Sequence, residues 1–215
     1  MVVGIGGNVL APARAVSAGA ASVGVRGRRC EVAAATPLAV LAALQRGGGP
    51  SFLLHDYGRC GASPASSSEL FVDSIGGERN RGQDGWEYKV GNLAGSTGAA
   101  DPSGAQGNGA RLRSGERVLW FWCVASGGGC ERTLAVSASA ATAPGVPVRV
   151  TVRAYDNEGH RAPAAGARVT LGSSAATTAS DGEATLAAPT TSGRYALAAS
   201  ASGVVPSFPQ AVLVR

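Results

Sequence analysis

Four cysteines, Cys30, Cys60, Cys123 and Cys130, are the residues of this chain whose chemistry says most about its compartment. Their number is even, their spacing is irregular and no CxxC pair occurs, a pattern unlike zinc or thioredoxin-like sites and typical of disulfides. Four cysteines allow three pairings. The turn-like segment VASGGG favours Cys123–Cys130, and Cys30–Cys60 then follows by elimination. Four reduced core thiols in a cytosolic protein are the competing interpretation.

The two histidines are the next candidates for chemistry. His55 lies in FLLHDYG beside Asp56, and His160 lies in the segment DNEGHR. The chain has no GxSxG elbow to supply a nucleophilic serine and no HExxH motif. Only His55 with Asp56 could serve an enzyme, and a polar residue at a strand end explains His55 equally simply. We therefore predict that the protein is not an enzyme.

Motifs for metals and cofactors are also lacking. Asp156, Asn157 and Glu158 could bind calcium, but they lack the spacing of an EF-hand loop, so a surface turn is predicted. The glycine-rich segment from Gly95 to Gly109 lacks the lysine of a nucleotide-binding loop. The sequence predicts no metal and no cofactor.

The aromatic residues offer the one candidate ligand site. Trp86, Tyr88, Trp120 and Trp122 lie in two strand-like segments, GWEYKV and VLWFWC, separated by the loop from Gly95 to Gly109. The rings could stack on a flat ring or a sugar, with this loop as an adaptable lid. Core packing beneath a helix is the competing interpretation, because the residues alternate as core residues do.

One helix is predicted to pack on these strands. Thr36 is a suitable N-cap, Pro37 suits the first helical position, and the helix LAVLAALQR would stop at Gly47. Its leucines at 38, 41 and 44 fall on one side, which would face the sheet.

Alternation of residue types predicts the strands around this helix. Ala21–Arg26, Cys30–Val32, SFLLHDYGRC and ELFVDSI are strand-like. In WEYKV, Glu87 and Lys89 are predicted to face water. VLWFWC is apolar on both faces, so it is predicted to be central in its sheet or to meet a partner.

The N-terminal segment resembles a truncated signal peptide. Residues 1–20 are apolar and small, and Val16-Ser17-Ala18 has the pattern of a signal-peptidase site, although a basic n-region is missing. A start codon misplaced within a longer signal would explain this. No segment is long enough to span a membrane. With the cysteines, this predicts a secreted, extracellular protein.

The net charge of +5 does not indicate nucleic acid. The 19 basic residues, all arginine except Lys89, are scattered, with only Arg26, Arg28 and Arg29 close together. No basic helix or RNA-binding aromatic motif accompanies them. We interpret the excess as solvated surface charge, and the preference for arginine as codon bias of a GC-rich bacterial genome.

A change of composition divides the chain. Residues 137–145, SASAATAPG, are predicted to be a linker between a domain at 21–136 and a domain at 146–215. Beyond the linker, VPVRVTVRAYD alternates and several short strands follow with Gly, Pro or Asp turns between them. This spacing indicates a small β-sandwich.

Residues 21–136 resemble a bacterial family of unknown function that is related to the C-terminal domain of transcobalamin. The resemblance rests on TPLAVLAAL, FVDSIGGE, GWEYKVGN and LRSGERVLWFWC. Two positions depart from the family pattern, with Gly91 inserted before Asn92 and Glu116 where Asp is usual. The resemblance implies an α+β β-grasp-like domain, with one helix on a sheet, in an extracellular protein.

Residues 146–215 resemble bacterial immunoglobulin-like and carboxypeptidase-regulatory-like repeats. The matching segments are PVRVTVRAYDNEGHRAPAAGARVTL, TTASDGEATL and SGRYALAASASGVVPS. The resemblance implies an all-β immunoglobulin-like sandwich that serves as a spacer or adhesive module. The predicted function is that of a secreted or cell-surface, non-enzymatic binding protein whose partner is an unknown extracellular ligand or a component of the cell envelope. The alternative is a carrier of a small corrinoid-like ligand or a carbohydrate.

Overall fold

The computed structural model describes residues 1–107, 109, 111–125 and 129–215, and its contacts divide the chain into two units, Met1–Gly128 and Gly129–Arg215. Within the described residues the protein is mostly β, with several sheets and one α-helix. Part of the predicted turn VASGGG and part of the predicted glycine-rich loop fall outside the described residues.

The first unit contains the helix α1 (Pro37–Arg46), two short 3-10 turns at Ile5–Gly7 and Pro64–Ser67, and ten described strands. The strands are β1 (Val2–Val3), β2 (Val9–Ala11), β3 (Ala21–Val25), β4 (Arg28–Val32), β5 (Phe52–Asp56), β6 (Leu70–Ile75), β7 (Glu78–Arg79), β8 (Gly85–Val90), β9 (Leu93–Ala94) and β10 (Val118–Cys123). They form a five-stranded sheet in the order β2-β1-β10-β8-β9, a sheet β5-β6-β7 and the hairpin β3-β4.

Strand β10 is the centre of the five-stranded sheet. It pairs with β8 along its whole length in antiparallel register and with β1 in parallel. All six of its residues are buried. The prediction that this strand is central is confirmed, because a strand with two apolar faces is stable only where both faces are covered.

Helix α1 covers one face of this core as predicted. Thr36 caps it by accepting a hydrogen bond from the backbone N–H of Ala39 (3.3 Å), and Gly47 ends it. The indole N–H of Trp120 donates to the carbonyl of Pro37 at 3.4 Å. The three predicted leucines are buried in the same cluster as the tryptophans: Leu38, Leu41 and Leu44. Across the described residues, no helix combines the length and apolar composition needed to span a bilayer.

On the opposite face of the sheet, the prediction that Glu87 and Lys89 face water was wrong. The alternation in β8 is as predicted, but Lys89 is fully buried, with its Nζ 5.8 Å from the ring centroid of Phe121. Glu87 is partly buried, and this burial raises the pKa of its carboxyl group. The prediction was wrong because alternation shows which residues share a face, whereas exposure depends on what covers that face.

The N-terminal residues are part of the first unit. Val2 and Val3 are almost completely buried, and they pair with Trp120 and Phe121 of β10. Strand β2 then pairs with β1 and buries Ala11. In the structure, small apolar residues of the segment predicted to be a leader thus form strands β1 and β2 of the central sheet.

The second unit consists of two sheets around one core. The described strands are β11 (Thr133–Ser137), β12 (Ala141–Thr142), β13 (Pro147–Tyr155), β14 (Arg161–Pro163), β15 (Arg168–Leu171), β16 (Ser174–Thr177), β17 (Glu183–Ala187), β18 (Gly193–Ser200) and β19 (Gln210–Val214). In one sheet β13 pairs with β11, β14 and β17, and the other has the order β12-β19-β18-β15-β16. Residues of both sheets share one cluster, including Val150, Leu171 and Leu197.

The predicted linker at 137–145 is not a connection between the units. Residues 133–137 form strand β11 on β13, and Ala141 and Thr142 pair with β19. The contacts instead divide the chain between Gly128 and Gly129. Small residues such as these fit equally well in a short strand and in a flexible connection, so composition alone placed the boundary too far along the chain.

Both predicted disulfides are present. Cys30 is bonded to Cys60, with their Cα atoms 5.2 Å apart. Cys123 and Cys130 are also disulfide-bonded, and the first pair leaves them only each other as partners. The interpretation of four reduced thiols is therefore wrong.

Candidate functional site

Asp56, at the end of β5, organises a tight turn on the first unit. Its side chain is almost completely buried, accepts hydrogen bonds from the backbone N–H groups of Gly58 (3.0 Å) and Cys60 (3.1 Å), and forms an ion pair with Arg28 (2.9 Å). An aspartate that satisfies its own turn in this way is a common device for fixing a loop. The disulfide from Cys60 to Cys30 then ties the turn to β4.

The turn presents an aromatic patch, which we define as His55, Tyr57 and Phe71. Tyr57 is 71 % exposed and Phe71 is 46 % exposed. The ring centroids of His55 and Tyr57 are 4.3 Å apart, and those of Tyr57 and Phe71 are 6.2 Å apart in an edge-on arrangement. Phe71 lies on β6, directly opposite His55 in the register of the two strands. Three neighbouring rings at the surface of so aromatic-poor a chain are an unusual concentration of exposed apolar area.

Arg26 completes the patch from the turn between β3 and β4. One of its Nη atoms lies 3.1 Å from Nδ1 of His55. A guanidinium has only donors, so in this contact Nδ1 of His55 is the acceptor. Arg26 holds this position with a left-handed backbone, at φ 47°, which costs a residue other than Gly about 1–2 kcal/mol.

Charged side chains of both signs lie around the aromatic patch. Arg29 and Arg59 lie exposed in the neighbouring strand and turn, whereas Arg28 is neutralised by Asp56. Two acidic residues also lie here: Glu69, whose carbonyl accepts from the N–H of Tyr57 at 3.3 Å, and Asp73 on β6, which pairs with Arg79 at 3.5 Å. The patch therefore combines aromatic rings with the guanidinium group of Arg26.

His55 and Asp56 do not form a catalytic pair in this arrangement. The ring of His55 contacts Arg26, whereas the carboxylate of Asp56 is bonded to Arg28 and to the backbone of its own turn. Consecutive residues of a strand point to opposite faces, which explains why the two side chains are separated.

The predicted ligand residues lie in the core instead. Trp86, Tyr88, Trp120 and Trp122 are each no more than 5 % exposed. The indole N–H of Trp86 donates to the carbonyl of Glu78 at 2.8 Å, and the ring of Trp86 meets that of Trp122 edge-on. No ring face of these residues is open to a ligand within the described part of the chain. The core interpretation accounts for them, and we do not assign them to a ligand.

The predicted lid is packed against the core in the same region. The hydroxyl of Tyr88 donates to the carbonyl of Thr97 at 2.8 Å, and the backbone N–H of Leu38 donates to the carbonyl of Ala99. Gly95 lies against the ring of Tyr88 so closely that any side chain there would overlap the ring. The described part of this loop is therefore a fixed support for the core, and burial raises the pKa of the Tyr88 hydroxyl.

Asp156, Glu158 and His160 form a cluster in the turn after β13, with ligand atoms within 4.8 Å of one another. Desolvation raises the pKa of Asp156, but the backbone N–H and ring of His160 lower it by more, so the net shift is downward. The oxygens of Asp156 already accept from this N–H (2.8 Å) and face the ring (3.3 Å). With Glu158 and His160 exposed, the geometry is that of a self-satisfied surface turn, and we assign no metal to it.

Sequence reasoning missed Tyr57, Phe71 and Arg26 as functional candidates. A period-two pattern in FLLHDYG, with the buried Leu54 between outward residues, was the available signal for His55 and Tyr57. Their proximity to Phe71 depends on how β5 pairs with β6, and residue spacing alone does not predict that pairing.

No family model, curated protein or solved structure matches the chain. The geometry of the chain's own residues is therefore the basis for assigning its function.

Proposed function

We propose that this protein is an extracellular, non-enzymatic binding module that contacts a protein partner through the aromatic patch and Arg26. The single observation that carries the proposal is the exposed set of rings around Tyr57, held in place by the Asp56 turn and the Cys30–Cys60 disulfide. Exposed tyrosine and arginine side chains on a rigid support are the residues that contribute most to protein interfaces.

The positive charges of Arg26 and of the chain as a whole support a proposal for the kind of partner. Arg26 contacts the patch at His55, and the chain as a whole carries a net charge of +5. A partner with acidic residues around an apolar contact would be complementary in charge. We therefore propose an acidic protein surface of the cell envelope.

The two disulfides support the extracellular part of the proposal. Disulfides persist in oxidising compartments and are rare in the cytosol, where thiols are kept reduced. The proposal of secretion therefore rests on these bonds.

The finer fold assignments remain proposals of the same kind. One helix packed on a sheet supports a β-grasp-like domain related to the transcobalamin C-terminal domain for the first unit. Two sheets around one core support an immunoglobulin-like sandwich for the second unit. The corrinoid or carbohydrate carrier is less well supported, because the four aromatic residues that would hold its ligand are buried.

Binding to cell envelopes of the producing organism tests the proposal. Replacing Tyr57 and Phe71 by alanine should weaken binding at least tenfold, because each ring supplies exposed apolar contact area. Protease treatment of the envelopes should abolish binding by the unaltered protein. Leu93→Ala, which shortens another 40 % exposed side chain of the first unit, is the matched control and should bind normally.

Arg26→Asn separates binding from folding. Asparagine tolerates the left-handed backbone better than arginine does, so the variant should fold at least as stably. It removes the positive charge and should weaken binding and reduce its salt dependence. Equal binding by the Tyr57/Phe71 variant and the unaltered protein, or binding that survives protease treatment, would contradict the proposal.

A further inference from the structure

A groove of about 490 Å³ lies on the outer face of the second unit's β11-β13-β14 sheet. None of its lining residues belongs to the aromatic patch. Its volume is within the range of small-molecule sites. The residues that line it include Ser137, Thr151, Arg153, Tyr155 and Arg161. Alternate residues of β13 point into the core, so the outward residues Thr151, Arg153 and Tyr155 form one continuous row at the base of the groove.

The two arginines of the groove are diagonal neighbours. Arg161 pairs across the strands with Tyr155, and Arg153 lies two residues before Tyr155 on the same strand. Diagonal neighbours have Cβ atoms about 7 Å apart, so these two long side chains can both reach one anionic group above the sheet. No carboxylate is among the described residues that line the groove.

The neighbouring acidic residue is already neutralised. Glu183 lies opposite Thr151 on the adjacent strand, and its carboxylate pairs with Arg149 at 2.7 Å. Within the described residues, Arg161 is exposed and forms no ion pair. The unpaired positive charge of the groove is therefore that of Arg161, whereas Arg153 lies beside the backbone of the acidic residue Asp181.

Arg153 is held in place before any ligand arrives. Its Nη1 donates to the carbonyl of Asp181 at 2.6 Å, in the turn before β17. Gly182, in the same turn, has so little space around it that a side chain would collide with this guanidinium group and with the backbone carbonyl of Val152. A preorganised arginine loses less conformational entropy when it binds an anion.

From these contacts we infer that the groove binds a carboxylated sugar chain. The arginines would bind a carboxylate through their planar pairs of N–H groups, and the hydroxyls of Ser137 and Thr151 would hydrogen-bond to sugar hydroxyls. The ring of Tyr155 and the ring of Pro163 would offer apolar surface to the sugar's C–H face. The groove is partly open to solvent, which suits one unit of a chain better than an enclosed small molecule.

A titration of the full chain with a galacturonate oligomer, followed by NMR chemical shifts at low salt, tests this inference. We expect saturable shifts at residues 135–137, 151–155 and 161–163. Arg161→Gln should weaken binding at least tenfold, and Arg161→Lys should weaken it less because the charge remains without the planar fork. Arg168→Gln, at an exposed arginine on the other sheet, is the matched control and should leave binding unchanged.

Two further ligands distinguish the chemistry. A neutral glucose oligomer of equal length should not bind, and inorganic phosphate should bind far more weakly than the acidic oligomer. Equal binding of the neutral oligomer or of phosphate would overturn the inference, as would unchanged binding by Arg161→Gln or the absence of any shift. The shifts are followed at residues of the second unit, not at the aromatic patch. A failure of this inference is therefore distinguishable from a failure of the proposed function.

Discussion

Two side chains of β8 show how strongly a single residue's environment depends on the sheet around it. Lys89 is the chain's one lysine and is fully buried. Glu87 lies opposite Phe121 in the register of β8 and β10, and its burial raises the pKa of its carboxyl group. A partly buried carboxylate loses hydration, so at neutral pH its ionised form opposes folding.

Glu87→Gln should therefore raise the free energy of unfolding at pH 7 by up to about 1 kcal/mol. Because the folded-state pKa is raised, the native protein takes up a proton first as the pH falls, and this relieves the cost. The stability difference between the variant and the unaltered protein should shrink toward zero at about pH 4. Urea unfolding at both pH values measures it, with the exposed Glu69→Gln as the control. A variant less stable than the unaltered protein at pH 7 would contradict this account.

At the scale of elements, helix α1 depends on a cap that is itself buried. Thr36 is fully buried, and besides accepting from the N–H of Ala39, its hydroxyl donates to the carbonyl of Ala33 at 2.9 Å. The helix is only ten residues long, which is marginal for an isolated helix, so the cap and the packed leucines together determine its stability.

Thr36→Ala should lower the free energy of unfolding by about 1–2 kcal/mol, because the N–H of Ala39 and the carbonyl of Ala33 lose their partner. Thr36→Ser keeps the hydroxyl and should lose much less. Thermal or urea denaturation followed by circular dichroism compares the two variants. The cap has no such role if alanine and serine have the same effect.

The elements also show what sequence alone could predict. The cap at Thr36, the stop at Gly47 and the buried face of Trp86 and Tyr88 in β8 are local signals, and the structure follows them. Strands β1 and β2 contain two and three residues, and they form only because β10 offers an edge distant in sequence. The same limit applies to the site, since the aromatic patch joins residues of β5, β6 and the β3–β4 turn.

At the scale of the whole molecule, each unit has its own apolar core, and covalent bonds reinforce the fold. The Cys30–Cys60 disulfide closes a loop of 30 residues that contains helix α1 and β5. It also fixes the base of the Asp56 turn, so it supports both stability and the presentation of Tyr57.

Replacing Cys30 and Cys60 by alanine should lower stability by about 3–4 kcal/mol, the entropy expected for a loop of this length. Replacing Cys123 and Cys130, which close a much shorter loop, should cost about 2 kcal/mol. Thermal denaturation under non-reducing conditions compares the two variants. Only the replacement of Cys30 and Cys60 should also weaken envelope binding. If both variants lose binding and lose stability equally, the Asp56 turn has no specific role in binding.

Hydrogen exchange of the protein, free and bound to the envelope component it recognises, tests the binding surface most directly. The account predicts slower exchange on binding at the backbone amides of residues 55–60 and 70–72, and unchanged exchange in β8 and β10. Unchanged exchange at residues 55–60 and 70–72, with protection elsewhere in the chain, would contradict it.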